Sequence, residues 1–284
     1  MRRTPIRCAR LALMKSLVKG CAMIAETGAV LITGATGGLG REFAAQYAAE
    51  GRDVVLVARS VAALDALAGE VRERFGVEAS CFSCDLSETS APRTLYEDVI
   101  GTGIQVEILV NNAGFAVDAP FAESDPVRQR GLVEVNIAAL TELSRLFGAD
   151  MAARGHGGIL NVASVAAFMP GAYMATYYAS KAYVLSFTHA VHAELRSRGV
   201  HVSALCPGPV DTPFWERADA GATLLARIGV PPARIVSAGR AALRRNASQR
   251  VCGIAWKATA FAMRLVPRGL AAEVAAHLQN PAAK

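Results

Sequence analysis

Short apolar runs alternate with longer stretches in which apolar residues recur every three or four positions, from residue 29 to residue 206. The runs at 53–58 and 106–110 predict strands buried on both faces, and 29–32, 158–163 and 201–206 read as strands as well. Residues 78–83 read as a further strand, and 42–49, 61–75, 91–100, 127–153 and 176–198 as helices by their period. Strand followed by helix, six times over, specifies an α/β fold with a doubly wound parallel sheet of about seven strands flanked by helices. The last strand is expected near 250–254, between helices at 237–245 and 268–279. No Pro/Ser-rich linker separates this tail from the body. Residues 28–284 are therefore expected to form a single domain, with 213–235 as a lid and 236–284 as C-terminal helices and a last strand. Residues 1–27 read as a basic, mobile extension.

Composition narrows the class. With 284 residues, 52% hydrophobic and 19% charged, the chain is neither disordered nor too short to build a core without disulfides or metals. Its six cysteines are too sparse for a disulfide scaffold and read as reduced thiols of a cytoplasmic protein. The net charge of +6 raises the question of a nucleic-acid partner, and its distribution answers it. Residues 1–27 hold six basic side chains and one acidic, 28–212 hold thirteen and twenty, and 213–284 hold eleven and three. An acidic body with basic ends, and no basic run interleaved with aromatics, does not make a phosphate-tracking groove. No nucleic-acid partner is expected. The basic ends leave peripheral membrane contact open, as a surface helix rather than a span. The nearest spanning candidate, 256–266, is too short, carries Lys257 and Arg264, and is expected as a packed helix.

The first strand runs into Thr33-Gly34-Ala35-Thr36-Gly37-Gly38-Leu39-Gly40, where a helix begins. Glycines let a backbone turn sharply out of a sheet and approach a pyrophosphate, while the helix N-terminus presents N–H groups to it. In this strand-helix context the loop predicts a Rossmann-type dinucleotide site that uses Gly34, Thr36, Gly37, Gly38, Leu39 and Gly40. The end of the second strand distinguishes the cofactors, because an acid there binds a ribose 2′-hydroxyl and a base accommodates a 2′-phosphate. That position holds Arg59, followed by Ser60, which favours NADP(H) over NAD(H).

Further motifs follow in order: Asp85-Leu86, Asn111-Asn112-Ala113-Gly114, Asn136, Ser164, Tyr177-x-x-x-Lys181 and Pro207-Gly208-Pro209-Val210-Asp211-Thr212. On these residues the chain, over about 28–212, resembles the short-chain dehydrogenase/reductase family, in its compact, NAD(P)-dependent branch. More weakly, its tail resembles the ketoreductase and hydroxysteroid dehydrogenase group. The resemblance implies that Asp85 and Leu86 flank adenine and that Asn112, Ala113 and Gly114 line the cofactor. It implies also that Pro207, Gly208, Val210 and Thr212 flank the nicotinamide, that Lys181 holds the nicotinamide ribose, and that Asn136 positions a water linking Lys181 to solvent. The two long helices at 127–153 and 176–198 would be the contact faces of a homodimer or homotetramer.

The residues support the chemistry independently. Tyr177 and Lys181 are four apart on a predicted helix and so stand one above the other on one face; neither Tyr173 nor Tyr178 has Lys181 four residues ahead. A phenol is a poor acid–base catalyst at neutral pH, and a nearby ammonium together with an oxidised nicotinamide would favour the phenolate. Tyr177 is the expected proton carrier. Ser164, at the carboxyl end of the fifth strand, is placed to donate to a substrate oxygen, and Asn136 completes the catalytic set. Cys81-x-x-Cys84 lacks a second pair, and His189 and His192 lack the spacing of a metalloprotease, so no metal is expected.

Phe115, Val165, Met169, Tyr173, Phe214 and Trp215 are placed by position to line a pocket for a small lipophilic ketone or alcohol, or to close the core. The leading expectation is an NADP(H)-dependent oxidoreductase that interconverts such a ketone and a secondary alcohol, of carbonyl reductase, 3-oxoacyl or hydroxysteroid type. The alternatives are a non-catalytic NADP-sensing protein of the same fold and a membrane-surface reductase of long acyl chains or steroids.

Overall fold

The computed structural model describes residues 28–212 and 229–279. Seven strands form one parallel sheet in the order β3-β2-β1-β4-β5-β6-β7. They are β1 (Ala29–Thr33), β2 (Val54–Ala58), β3 (Ala79–Ser83), β4 (Val106–Asn111), β5 (Gly157–Val162), β6 (Val200–Cys206) and β7 (Gln249–Val251). The helices are α1 (Gly38–Ala48), α2 (Val61–Phe75), α3 (Ala91–Gly101), α4 (Pro126–Val133), α5 (Leu140–Arg154), α6 (Ala175–Leu195), α7 (Pro232–Arg244), α8 (Ile254–Ala262) and α9 (Arg268–Gln279). The strand order reverses between β1 and β4, which opens a crevice at their carboxyl ends.

Every residue of β1, β4, β5 and β6 is buried, as expected of strands covered on both faces. Alternate strand residues feed two cores. Val30, Ile32 and Leu56 pack with Phe43 and Tyr47 of α1, Leu64 and Leu67 of α2, and Ile235 of α7. Leu31, Val55 and Leu109 pack on the other face with Leu95 of α3 and Phe147 and Met151 of α5. The period-2 strand and period-3.6 helix patterns therefore meet twice, once on each side of the sheet.

A polar chain crosses the second layer. Asn111 on β4 donates through Nδ2 to Ser144 Oγ of α5 (2.9 Å) and to Asn161 Oδ1 of β5 (2.9 Å). Asn161 Nδ2 donates to Thr188 Oγ1 of α6 at 3.0 Å, and Thr188 donates to the Val184 carbonyl at 2.6 Å. All four side chains are buried, so each bond fixes which helix sits over which strand.

The helix expected over 127–153 is divided. Between α4 and α5 the residues Glu134–Ala139 form one turn of π-helix. Inside it, the Asn136 amide accepts from Phe115 N (3.1 Å) and donates to Phe115 O (3.0 Å), tying the helix to the strand-end loop rather than only to itself. The last strand falls at 249–251 rather than 250–254, because Gly253 at φ +91 ends it and starts α8. The helix expected at 237–245 begins earlier, at Pro232, since proline at a first helical position loses no hydrogen bond.

Thr188→Val keeps shape while leaving the Asn161 amide without its acceptor. It should cost about 1–3 kcal/mol in urea unfolding. An unchanged midpoint would mean that the polar chain does not hold α6 to the sheet.

Candidate active site

The carboxyl edge of the sheet gathers most of the motif residues. At the switch point Thr33 Oγ1 accepts from the backbone N–H groups of Asn112 and Ala113, both at 3.0 Å. Asn112 Nδ2 returns bonds to the carbonyls of Thr33 (3.0 Å) and Gly34 (3.2 Å). These contacts brace the glycine loop against the end of β4. Gly34 lies at φ +64, where a Cβ would also stand 3.0 Å from Ala113 Cα. A Cβ on Gly40 would strike Gly34 O, and one on Gly38 would strike the Thr212 side chain.

The loop therefore holds only as glycine. Helix α1 begins at Gly37 with no side-chain cap, leaving its first-turn N–H groups to an anion. Thr36 and Leu39 are half-buried beside it. A cradle with no Cβ, an uncapped helix start and the crevice of the switch point fit a dinucleotide pyrophosphate.

Along the crevice wall, Arg59 is exposed at the end of β2, and its carbonyl accepts from Ser83 Oγ at 3.0 Å. Ser60 caps α2 by accepting from Ala63 N at 3.3 Å. Burial pushes the Asp85 carboxyl up, but two hydrogen bonds from Ser87 and the Arg59 charge together bring it below its ordinary value. The Leu86 side chain lies in the core with Leu95 and Val99, so only its main chain is left to meet a cofactor. Pro207 O accepts from Val165 N at 2.9 Å, and Gly208 packs against the Trp256 indole of α8. Val210 pairs with Val230, which joins the two ends of the segment 213–228.

Ser164, Tyr177 and Lys181 converge. Ser164 starts the turn Val165–Phe168, where its Oγ accepts from Ala166 N at 3.1 Å. The same hydroxyl is hydrogen-bonded to Tyr177. Lys181 Nζ lies 5.7 Å from the Tyr177 ring centroid and donates to the Val162 carbonyl at 2.8 Å. Burial pushes the Tyr177 phenol up to about 12, with Tyr178 adding to the rise and the Ser164 bond opposing it. Burial also pushes the Lys181 ammonium down to about 8, against an opposing pull from Cys206.

The expectation that an ammonium together with an oxidised nicotinamide favours the phenolate concerns the cofactor-bound site; without the cofactor, desolvation dominates both groups.

Asn136 does not touch Lys181 through a bond of its own. Its Nδ2 reaches Ser180 Oγ at 3.1 Å, and Ser180 donates to Tyr177 O at 2.7 Å. Both side chains close on Gly114, where a Cβ would stand 3.0 Å from Asn136 Oδ1 and 3.5 Å from Lys181 Nζ. Ser180, Thr33 and Cys206 belong to this neighbourhood without having been singled out from the sequence. Their only signal is position, between Tyr177 and Lys181 for Ser180 and at a strand end for Thr33 and Cys206.

Of the pocket candidates, Phe115 packs with Met174 and Tyr177. Val165 packs with Leu140, Ala163 and Val184, so it closes core. Met169 follows the Ser164 turn. Tyr173 is held at φ +61 by the turn into α6, its carbonyl accepting from Ala119 N at 3.0 Å. Phe214 and Trp215 lie outside the described residues. Cys81 and Cys84 are separate free thiols bonded to the Leu64 and Ala91 carbonyls, and His192 bonds the Val202 carbonyl.

Residues 28–222 match the short chain dehydrogenase family profile. The chain belongs to the short-chain dehydrogenase family. That family is one of oxidoreductases acting on CH–OH and C=O groups, on a fold that binds NAD(P). The dehydrogenase is similar to a very-long-chain 3-oxoacyl-CoA reductase of Anas platyrhynchos, 33% identical over 189 residues, 64% of this chain and 59% of the relative. The reductase of that name from Homo sapiens is 31% identical over 184 residues, 62% of this chain and 57% of the relative. This chain thus spans little more than half the length of the curated relatives it matches. Among solved structures, a short-chain dehydrogenase from Sphingobium yanoikuyae in complex with NADPH superposes with a TM-score of 0.76 at 31% identity, over 84% of this chain and 94% of that one. A 7beta-hydroxysteroid dehydrogenase shares the fold, with a TM-score of 0.80 at 23% identity over 89% of this chain and 99% of its own.

Lys181→Met removes a buried ammonium from the dehydrogenase. The Lys181 value of about 8 lies below its ordinary 10.5, so the folded state releases the proton first and wild-type stability rises with pH between the two. Below that window the charge is buried at full cost, and the variant should be more stable there by about 1–3 kcal/mol. The gain should shrink as the pH rises through the window. Thermal unfolding across pH 6 to 10.5 tests the sign, and a gain that grows with pH would contradict the burial account.

Proposed function

We propose that this dehydrogenase uses NADP(H) to interconvert a lipophilic ketone and a secondary alcohol, with Tyr177 as proton donor and acceptor. The observation that carries the reading is the buried contact of Tyr177 with Ser164 beside Lys181 at the crevice. When bound, the nicotinamide would supply or accept the hydride. The glycine loop would hold its pyrophosphate, with Asp85, Leu86, Asn112, Ala113 and Gly114 along the wall. Pro207, Gly208, Val210 and Thr212 would close the nicotinamide end.

Ser164 would donate to the carbonyl oxygen as charge develops there. Tyr177 remains protonated well above neutral pH, so it meets that oxygen as a phenol. The alkoxide of a secondary alcohol is a stronger base than a phenolate, so the proton transfer runs downhill even from a phenol shifted to about 12. Lys181 would hold the nicotinamide ribose and, through a water placed by Asn136, reload the phenol. The convergence of Asn136 and Lys181 on Gly114 supports that route.

NADP(H) rather than NAD(H) is supported by Arg59 at the end of β2 and by the NADPH complex of the similar structure. The lipophilic substrate is supported by Phe115 and Met174 packed beside Tyr177, and a 3-oxoacyl thioester by the names of the relatives. A cytoplasmic location agrees with four free thiols among the described residues. A homo-oligomer through α5 and α6 agrees with the exposed Tyr183 ring stacked on Phe187.

An NADPH-coupled screen over 3-oxoacyl thioesters, steroids and small ketones, with NADH in parallel, tests the reading. Tyr177→Phe should lower kcat by about 10²–10⁴ and leave NADPH binding in place. Turnover that survives this change would remove the proton role. Arg59→Asp should weaken NADPH binding about tenfold or more with little effect on NADH, since it sets an acid against the 2′-phosphate. Unchanged NADPH affinity would reassign the cofactor.

A further inference from the structure

The stretch 256–266 was expected as a packed helix, and only one face of α8 packs. Trp256 and Ala260 of α8 turn toward the body, Trp256 against Gly208 and the cluster around Val184 and Val251. The opposite stripe is apolar and faces outward. Ile254 (86% exposed) and Phe261 (65%) share one face of α8, and Leu265 (77%) follows in the turn after it. Leu270 (53%) and Val274 (50%), four apart on α9, form a second exposed apolar pair. Beside these residues stand Lys257, Arg264 and Arg268. Among the described residues none of the three has an acidic partner.

Exposed apolar side chains on two successive helices mark a contact surface, and unpaired cations beside them state the charge of what they meet. We propose that the outer face of α8 and α9 docks the protein onto an anionic phospholipid surface. Phe261, Leu265 and Leu270 would enter the acyl boundary, and Lys257, Arg264 and Arg268 would meet the headgroup phosphates. Charge separates this occupant from the others within reach. Residues 254–279 carry Lys257, Arg264 and Arg268 against Glu273, so residues 1–27, with six basic side chains against one acidic, would meet like charge there. A second copy would set two such faces against each other in a symmetric contact. The inference concerns a face away from Tyr177 and stands whether or not the proposed reaction is correct.

Co-sedimentation with vesicles of phosphatidylcholine alone and of phosphatidylcholine with phosphatidylglycerol, in low salt, tests it on the full chain. The protein should pellet with the anionic vesicles only and be released at high salt, where charges are screened beyond a few ångströms. Phe261→Ser with Leu265→Ser should lower the bound fraction about tenfold or more, and Lys257→Gln with Arg264→Gln should do so as well. A circular dichroism spectrum and melting temperature like those of wild type confirm that each variant is folded. The proposal is overturned by equal absence from both pellets, by binding that the double variants leave unchanged, or by binding lost only on removal of residues 1–27. Concentration-dependent dimers that vanish in the Phe261/Leu265 variant, without vesicle binding, would also overturn it in favour of a self-contact.

Discussion

A buried ammonium has to be satisfied by a fixed acceptor, and Lys181 is satisfied by the carbonyl of Val162, the last residue of β5. That one bond sets where α6 can lie. With Lys181 anchored, Tyr177 one turn earlier is carried over the end of β5, where Ser164 begins the next turn and meets its hydroxyl. The Asn111–Asn161–Thr188 chain below repeats the constraint one layer deeper, since it ties the same helix to β4 and β5. The chemistry at the crevice is thus a consequence of how polar groups are satisfied inside a sheet buried on both faces.

The layout of strands and helices was legible because both core layers are written in simple periods. Val30 and Ile32 serve one face and Leu31 the other, and the helices answer at 3.6 residues. The glycine loop, Ser164, Tyr177 and Lys181 were legible because their chemistry is carried by motifs of fixed spacing. The division of the 127–153 helix was not. The π-helical turn at Asn136 arises from two bonds to Phe115, twenty-one residues away, and a local pattern holds no record of a partner at that distance. Nor was the direction of the Tyr177 shift legible, because it depends on how deeply the folded chain buries the phenol, which the spacing to Lys181 does not record.

The tail shows the limit of reading from composition in another way. Its apolar residues and its positive charge were both visible, but a helix of nine residues with Trp256 on one face and Ile254 and Phe261 on the other can be packed or presented. The structure presents the outer face, while Trp256 supports the loop at Gly208 that borders the crevice. One short helix therefore joins the functional edge of the sheet to an uncovered apolar surface.

The central claim is that desolvation, not the lysine charge, governs the phenol at the site. Ultraviolet difference titration of the cofactor-free wild type against Tyr177→Phe isolates this one tyrosine. The account predicts no phenolate from Tyr177 at pH 10, where an ordinary tyrosine is half ionised, and its appearance only toward about 12. A Tyr177 phenolate already present at pH 8 would contradict it.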